Sequence, residues 1–367
     1  MTRTEEIDLK ISIADIEFRN PLFLAEGPMS GDAKLITRAA EHAVGGIVTK
    51  SMRDTSYTSP SMHMIRSQKG LINADWSDIG FDQWLQELDK LHLPVPLITN
   101  VATNHVSPKQ AAKFAEILQH HGAAMVTFSD YEPENLIEAV RTARKHVSVP
   151  IMVKLPPFRK DIGSLCAKLE EAGVNCIAAM DAVGPAMDID IDLGEPLLGS
   201  EDGTGYLSSE PIFPLALAYI AEICRNVSVP VIGVGGVTSY KDVVKMIMAG
   251  ATGVGISGGV LLHGLSLFDK IEADLKQWLR NKGYSSISQV RGLIQREKED
   301  DGRKWEIVPE LDAALCNGCG ICVRSCFKQA ITLEDNRPVF DYSECVRCGI
   351  CITSCPKSAI FQKRREL

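Results

Sequence analysis

The sequence predicts a (β/α)8 TIM barrel followed by a small cysteine-rich α+β domain. Three observations carry this reading. Eight short apolar runs alternate with amphipathic stretches from about residue 20 to residue 260. That span, roughly 250 residues, is the usual length of such a barrel. Eight of the eleven cysteines crowd between Cys316 and Cys355.

The apolar runs are Leu22–Ala25, Gly46–Thr49, Pro96–Asn100, Ala124–Phe128, Pro150–Lys154, Cys176–Met180, Pro230–Gly233 and Gly253–Ser257. Each is four or five residues long, and most carry Val or Ile, as expected of parallel strands buried on both faces. Amphipathic stretches such as Pro108–Gln119, Pro133–Lys145, Ser164–Ala172 and Ser239–Ala249 read as the intervening helices. A doubly wound open sheet is the alternative, and length favours the barrel. Two connections exceed ordinary loops, Met52–Val95 and Asp181–Val229. Long connections after barrel strands lie on the catalytic face. Residues 1–294 are therefore assigned to the barrel. A linker spans 295–311, opening with the charged stretch Gln295–Lys304, and the second domain spans 312–367.

Composition narrows the function. Hydrophobic residues make up 45% and charged residues 23%, which excludes wholesale disorder. The net charge of −8 argues against nucleic acid or an anionic membrane as partner. No apolar run reaches the length of a membrane span, and Met1–Lys10 has no signal-peptide core. The expected location is the cytoplasm, where clustered cysteines point to metal and not to disulfides.

The cysteines form a repeat. The first run is Cys316-x2-Cys319-x2-Cys322-x3-Cys326, and the second is Cys345-x2-Cys348-x2-Cys351-x3-Cys355-Pro356. This is the bacterial two-cluster ferredoxin pattern, in which the fourth cysteine of each run ligates the other cluster. One [4Fe–4S] cube is then expected on Cys316, Cys319, Cys322 and Cys355, the other on Cys345, Cys348, Cys351 and Cys326. Gly318, Gly320 and Gly349 permit the tight turns. Phe327 stands where the first run would carry proline. A zinc ribbon uses four ligands, so eight at this spacing are better explained by two cubes.

Such clusters pass electrons to a cofactor that handles two. Gly233-Val234-Gly235-Gly236 follows the seventh run and Ile256-Ser257-Gly258-Gly259 the eighth. Glycines after strands seven and eight make the usual barrel phosphate site. No G-x-G-x-x-G opens a βαβ unit, which argues against a Rossmann nicotinamide site. Lys50 and Lys154 end the second and fifth runs. An inward lysine is costly unless it meets an anion, either a cofactor or a neighbouring carboxylate.

These residues resemble the dihydroorotate dehydrogenase family over residues 8–295. The matching motifs are Asn20-Pro21, Leu24-Ala25, Gly46-x2-Thr49-Lys50-Ser51, Leu71-Ile72-Asn73, Ile79-Gly80-Phe81, Val153-Lys154-Leu155-Pro156-Pro157, Gly233-x-Gly235-Gly236 and Gly283-Tyr284-x-Ser286-Ile287. The whole chain resembles the family's ferredoxin-fused branch, the C-terminal part of dihydropyrimidine dehydrogenase. The resemblance implies FMN at the barrel mouth. Lys154 then matches the lysine beside the flavin pyrimidine ring, Lys50 and Ser51 the flavin edge, and Gly235, Gly236, Ser257 and Gly258 the phosphate cradle. Ala25, Gly27, Asn100 and Gly205 complete the implied cofactor set, and Asn73 and Thr127 fall on the substrate side.

The chain departs from the family on that substrate side. The fourth strand of the family ends in Asn-x-Ser-Cys-Pro-Asn, or a variant, and a long loop. Here it reads Thr127-Phe128-Ser129-Asp130-Tyr131-Glu132, with a helix following at once and no cysteine nearby. Asp181-Ala182 replaces Asn-Ser or Asn-Thr after the sixth strand, and Glu26 replaces a small residue in the first flavin-contacting turn. Asp130, Tyr131 and Asp181 are candidates to move a proton, with His105 on the same face. Asp130 has a second reading as a cap of the next helix.

The expected activity is FMN- and iron–sulfur-dependent oxidation or reduction of a CH–CH (C=C) bond in a small polar conjugated substrate. Pyrimidines are expected to be turned over poorly. An electron-transfer subunit without its own substrate is the alternative. Expected partners are a separate electron donor or acceptor, a ferredoxin or an NAD(P)H-flavoprotein subunit, and further copies of the chain in a homo-oligomer.

Overall fold

The structure is a computed structural model that describes residues 6–74, 76–157, 160–295 and 305–366. The chain divides into two units, Met1–Arg296 and Glu297–Leu367.

In the first unit eight parallel strands close into a barrel in chain order. They are β1 (Leu22–Leu24), β2 (Gly46–Val48), β3 (Leu97–Ala102), β4 (Met125–Ser129), β5 (Ile151–Lys154), β6 (Cys176–Ala179), β7 (Val231–Val234) and β8 (Gly253–Ile256). Each coincides with an expected run, with ends shifted by one or two residues. Alternation sends every second side chain inward. Phe23, Ile98, Met125, Met152, Cys176, Ala178 and Ile232 form the inner cluster, together with Ile13 and Phe18 of the hairpin Ile11–Ile13/Ile16–Phe18. A Cβ on Gly46, the first residue of β2, would lie 2.9 Å from the Phe18 ring. The hairpin therefore plugs the barrel at the N-terminal ends of its strands.

Helices cover the outside through a second, larger cluster that includes Trp84, Leu136, Leu169, Ile220 and Phe268. Their ends follow local chemistry. Pro108–Leu118 starts with a proline behind Ser107, whose hydroxyl accepts from Gln110 N at 3.2 Å. Tyr240–Met248 starts with a capping box of Ser239 and Asp242.

Four of the strands in the two long connections are Met64–Ser67, Gly70–Asn73, Val183–Ala186 and Gly205–Ser209. These pair in one antiparallel sheet, with Tyr206 opposite Asn73. Residues of that sheet and of the β-strand C-termini line the same cleft.

In the second unit Trp305–Leu311 pairs antiparallel with Ile360–Glu366, and Ile331–Glu334 with Arg337–Phe340. Trp305–Leu311 corrects the expected linker: residues 305–311 are a strand. Its Ile307-Val308 pair favours extended backbone, and Val308 is buried. The remainder of the expected linker, residues 296–304, lies outside the described residues. Among the described residues no helix is long and apolar enough to cross a membrane.

Candidate active site

The cleft, about 340 Å³, opens at the C-terminal ends of the barrel strands, where barrel enzymes carry their chemistry. Period-two alternation explains who reaches it. Lys154 follows Met152 on the inner face of β5, and Ser129 follows Thr127 and Met125 on β4.

Lys154 is 7% exposed and sits between two carboxylates. It is ion-paired with Glu26, and Asp181 Oδ1 stands 3.1 Å from its Nζ. Burial alone would lower the lysine pKa, but the two acids outweigh it and hold the ammonium above its ordinary range. On the opposite wall Lys50 is ion-paired with Asp78 and lies over the Trp76 ring, 4.7 Å from its centroid. Arg53 shares Asp78 at 3.7 Å. Burial, aided by Arg53 and partly offset by Asp78, pulls Lys50 below its usual pKa. His105 is lowered by burial and by Arg53.

At the far end β7 and β8 present Gly235, Gly236, Ser257 and Gly258. Gly235 and Gly236 have φ of +127° and +77°, and a Cβ on Gly236 would lie 2.7 Å from the Phe213 backbone. No side chain fits there, so bare peptide faces the cleft. Ser209 lines this wall, 2% exposed, and its hydroxyl has no partner. Bare N–H groups, an unpartnered buried hydroxyl and a buried lysine suit a planar group that carries a phosphate.

The three acid–base candidates separate by their surroundings. Asp130 Oδ2 accepts from Thr103 Oγ1 at 2.6 Å and from Asn135 Nδ2 at 3.0 Å, and Oδ1 accepts from Glu132 N at 2.9 Å. It braces the turn into the helix Pro133–Ala143. Asp181 uses Oδ1 for Lys154 and for Ala182 N at 2.7 Å. Tyr131 stacks on Tyr206 at 5.4 Å, and burial together with Asp181, Tyr206 and Glu26 raises its phenol pKa.

The cleft thus brings together Gly27, Lys50, Ser51, Asn73, Asp130, Tyr131, Lys154, Asp181, Gly235, Gly236, Ser257 and Gly258. It leaves out Ala25, Asn100, Gly205 and Thr127. Asn100 stands one residue pair below, where its Nδ2 donates to Ser51 Oγ at 2.8 Å while Oδ1 is unpartnered. Thr127 is opposite Asn100, 1% exposed, with its hydroxyl unpartnered. Gly205 is a packing residue, since a Cβ there would lie 2.7 Å from the Asn73 carbonyl oxygen. Asn73 is engaged in the amide orientation that satisfies both its ends: its oxygen then accepts from Trp76 Nε1 at 3.0 Å and its nitrogen donates to the Tyr206 carbonyl at 3.2 Å. Sequence reasoning missed Tyr206, Ser209, Trp76 and Asp78. All four belong to the long connections, and only tertiary pairing places them here.

In the second unit two cavities are each walled by four cysteines. One is lined by Cys316, Cys319, Cys322 and Cys355, and the other by Cys326, Cys345, Cys348 and Cys351. Two thiol-walled cages on one small unit suit polynuclear clusters. The halves repeat in backbone: Gly318 and Arg347, both in the middle of a C-x2-C turn, have φ of +71° and +58°. The other cysteines are buried or half-buried, and burial pushes Cys166 and Cys224 up to about 12, which leaves them unreactive thiols.

Comparison with known proteins agrees with both units. The family model for dihydroorotate dehydrogenase matches residues 8–279, and the 4Fe-4S dicluster domain matches residues 315–359. Among similar proteins, the dihydroorotate dehydrogenase B (NAD(+)) catalytic subunit of Pyrococcus abyssi is 31% identical over 301 residues, covering 78% of this chain and 98% of that protein. The protein of the same name from Methanosarcina acetivorans is 32% identical over 307 residues, covering 77% of this chain and 94% of its own. That from Methanocaldococcus jannaschii is 27% identical over 307 residues, covering 78% and 98%. The chain belongs to the dihydroorotate dehydrogenase family, FMN-binding oxidoreductases that act on a CH–CH group, and it carries a 4Fe-4S dicluster domain besides.

Proposed function

We propose that this chain reduces the C=C bond of a small conjugated molecule in the cleft, with electrons delivered through the two cysteine cages. The single observation that carries the reading is the cleft itself, a buried lysine at one end and bare glycine peptide at the other. Gly235, Gly236, Ser257 and Gly258 hold the phosphate, while Gly27, Lys50, Ser51 and Lys154 surround the flavin ring. Ala25 and Asn100 shape the floor beneath it. FMN, when bound, supplies hydride exchange with the substrate carbon.

The chain's own residues supply the rest. Tyr131 lines the cleft near Asp181 and donates the proton, as a phenol is in the acid form at neutral pH. Asp130 holds the turn that presents Tyr131, and Asp181 fixes Lys154. The sheet strand Gly205–Ser209 helps exclude water from above. Cys316, Cys319, Cys322 and Cys355 ligate one cluster, and Cys326, Cys345, Cys348 and Cys351 the other.

The electron source is a separate ferredoxin or NAD(P)H-flavoprotein in the cytoplasm. Two facts support a separate source. The G-x-G-x-x-G at Gly253 to Gly258 runs along the last barrel strand and opens no βαβ unit, and the similar proteins are named as catalytic subunits of NAD(+)-linked enzymes. The test is anaerobic photoreduction of the purified chain, followed by a screen of unsaturated compounds for flavin reoxidation. At least one acceptor should reoxidise the flavin within seconds. A chain without FMN, or a flavin that reacts with no small molecule but readily with a redox protein, would overturn the reading.

A further inference from the structure

We propose that a small acidic redox protein docks on the rim of the cage walled by Cys326, Cys345, Cys348 and Cys351, and hands its electrons to the chain there. The inference rests on electrons entering through the cages, as proposed above, and names the entry face and the partner that fits it.

The cysteine repeat supplies an internal comparison. Cys326-Phe327-Lys328 corresponds to Cys355-Pro356-Lys357, and Cys345-Val346-Arg347 to Cys316-Asn317-Gly318. One cage is therefore rimmed by phenylalanine, valine and arginine where the other carries proline, asparagine and glycine. Phe327 is 65% exposed and Val346 53%. Ile350 is exposed beside them, while its counterpart Ile321 is half-buried. Ile307, from the strand Trp305–Leu311, completes an apolar rim of four exposed side chains on this one cage. On the other cage, among the described residues, Leu333 is the only large apolar side chain that is exposed. A cluster of exposed apolar groups marks a contact surface, and four side chains around a redox centre suit the small, short-lived interfaces of electron transfer.

The charge of this rim runs against that of the chain. Among the described residues Lys328 and Arg347 line the cage and no acid does. Arg364 stands opposite Ile307 in the strand pair. Glu306 pairs with Arg347, and Glu344 precedes Cys345. Three cations against two acids leave the rim positive, on a chain whose net charge is −8. A positive rim on a negative chain steers an acidic partner to this face, and the apolar side chains hold it there. Each encounter moves one electron, which oxidises the donor and reduces the cage by one. Two encounters supply the pair that C=C reduction consumes, with two protons drawn from solvent, one of them through Tyr131.

The probe is a reduced acidic two-cluster ferredoxin, mixed without oxygen with the full-length purified chain while cluster absorbance is followed. Reduction of the chain should slow about tenfold when salt is raised to roughly 0.5 M. Phe327→Pro, which copies the other half of the repeat, and Lys328→Glu should each slow it about tenfold at low salt. Both variants should keep their iron and be reduced by dithionite at the wild-type rate. Leu333→Glu, on the other cage, should leave the ferredoxin rate unchanged. No reduction by the ferredoxin, equal slowing in Leu333→Glu, or a rate indifferent to salt and to both rim variants overturns the proposal. A rim variant that changes the oligomeric state without changing the ferredoxin rate gives the face to a second copy of the chain, and overturns it too. Clusters reduced through this rim, beside a flavin that no small molecule reoxidises, sink the proposed activity and leave this inference standing. A reoxidisable flavin with no rim effect sinks this inference alone.

Discussion

Lys154, the last residue of β5, and Asp181, two residues beyond the neighbouring β6, meet at 3.1 Å at the barrel mouth, and Glu26 pairs with the same ammonium. The charge that would face a reduced flavin is therefore shared with two carboxylates.

That sharing predicts opposite shifts in flavin potential. Lys154→Met leaves two unpaired acids and should lower the midpoint potential and weaken FMN retention. Glu26→Gln frees lysine charge and should raise it. A change of about 1.4 kcal/mol in the two-electron couple corresponds to roughly 30 mV. Spectroelectrochemical titration of both variants and of the double variant reads the coupling. An unchanged potential in Lys154→Met at full occupancy would remove Lys154 from the flavin site.

The cysteine cages predict crossed ligation. The purified chain should hold about eight irons, four per cluster. Cys355→Ala should damage the cluster walled by Cys316, Cys319 and Cys322, and spare the one walled by Cys345, Cys348 and Cys351. Iron analysis and EPR of the reduced variant decide this, and loss of the second-run cluster alone would refute it.

Asp130 and Tyr131 are neighbours with different predicted phenotypes. Asp130→Ala leaves the Thr103 hydroxyl, the Asn135 amide and the Glu132 N–H without their acceptor. The expected cost is about 1–3 kcal/mol, visible as a lower melting temperature. Tyr131→Phe should keep stability and flavin but slow reoxidation by the acceptor found in the screen, by roughly 10²–10⁴-fold. Because the folded phenol pKa is raised, Tyr131 stays protonated past the pH at which an ordinary tyrosine ionises. Its contribution to the rate should be flat up to pH ~10. Above that, the unfolded chain releases this proton first, so the residue favours unfolding as pH rises. An ordinary tyrosine limb in the rate profile would contradict the environment described.

Much of this was readable in the chain because it is local. The eight strands announce themselves in four or five residues each, and the cysteine spacing repeats within 40 residues. The ends of β4 show the limit. Thr127 was assigned to the substrate side, yet alternation carries Ser129 to the cleft and leaves Thr127 a layer below. The partners of Lys154 were beyond reach for a different reason. Glu26 is 128 positions away, and only barrel closure sets the end of the first strand facing the end of the fifth across the mouth. Asn73 reads as a free amide until the paired strand Gly205–Ser209 and Trp76 occupy both its ends.

Pyrimidines should be poor acceptors for this cleft. Reduced enzyme should react slowly with orotate, uracil and thymine. The turn that follows β4, Asp130-Tyr131-Glu132, carries no thiol. The amide of Asn73 is committed within the protein. Asp181 stands where the family carries an amide, and Lys154 holds only one of its oxygens. An orotate carboxylate would approach Glu26 and Asp181 against like charge, and an imide would meet carboxylates that accept but cannot donate. Each unpaired polar contact costs on the order of 1–3 kcal/mol, so two of them cost from about thirtyfold to about 10⁴-fold. Stopped-flow mixing of the photoreduced chain with each compound, without oxygen, measures the rate of flavin reoxidation. Orotate should be the slowest of the three, because it adds charge repulsion to the missing donors. Reoxidation within seconds by orotate would show that the Glu26–Lys154–Asp181 group opens to release the lysine, and Glu26→Gln would then be expected to speed that reaction further.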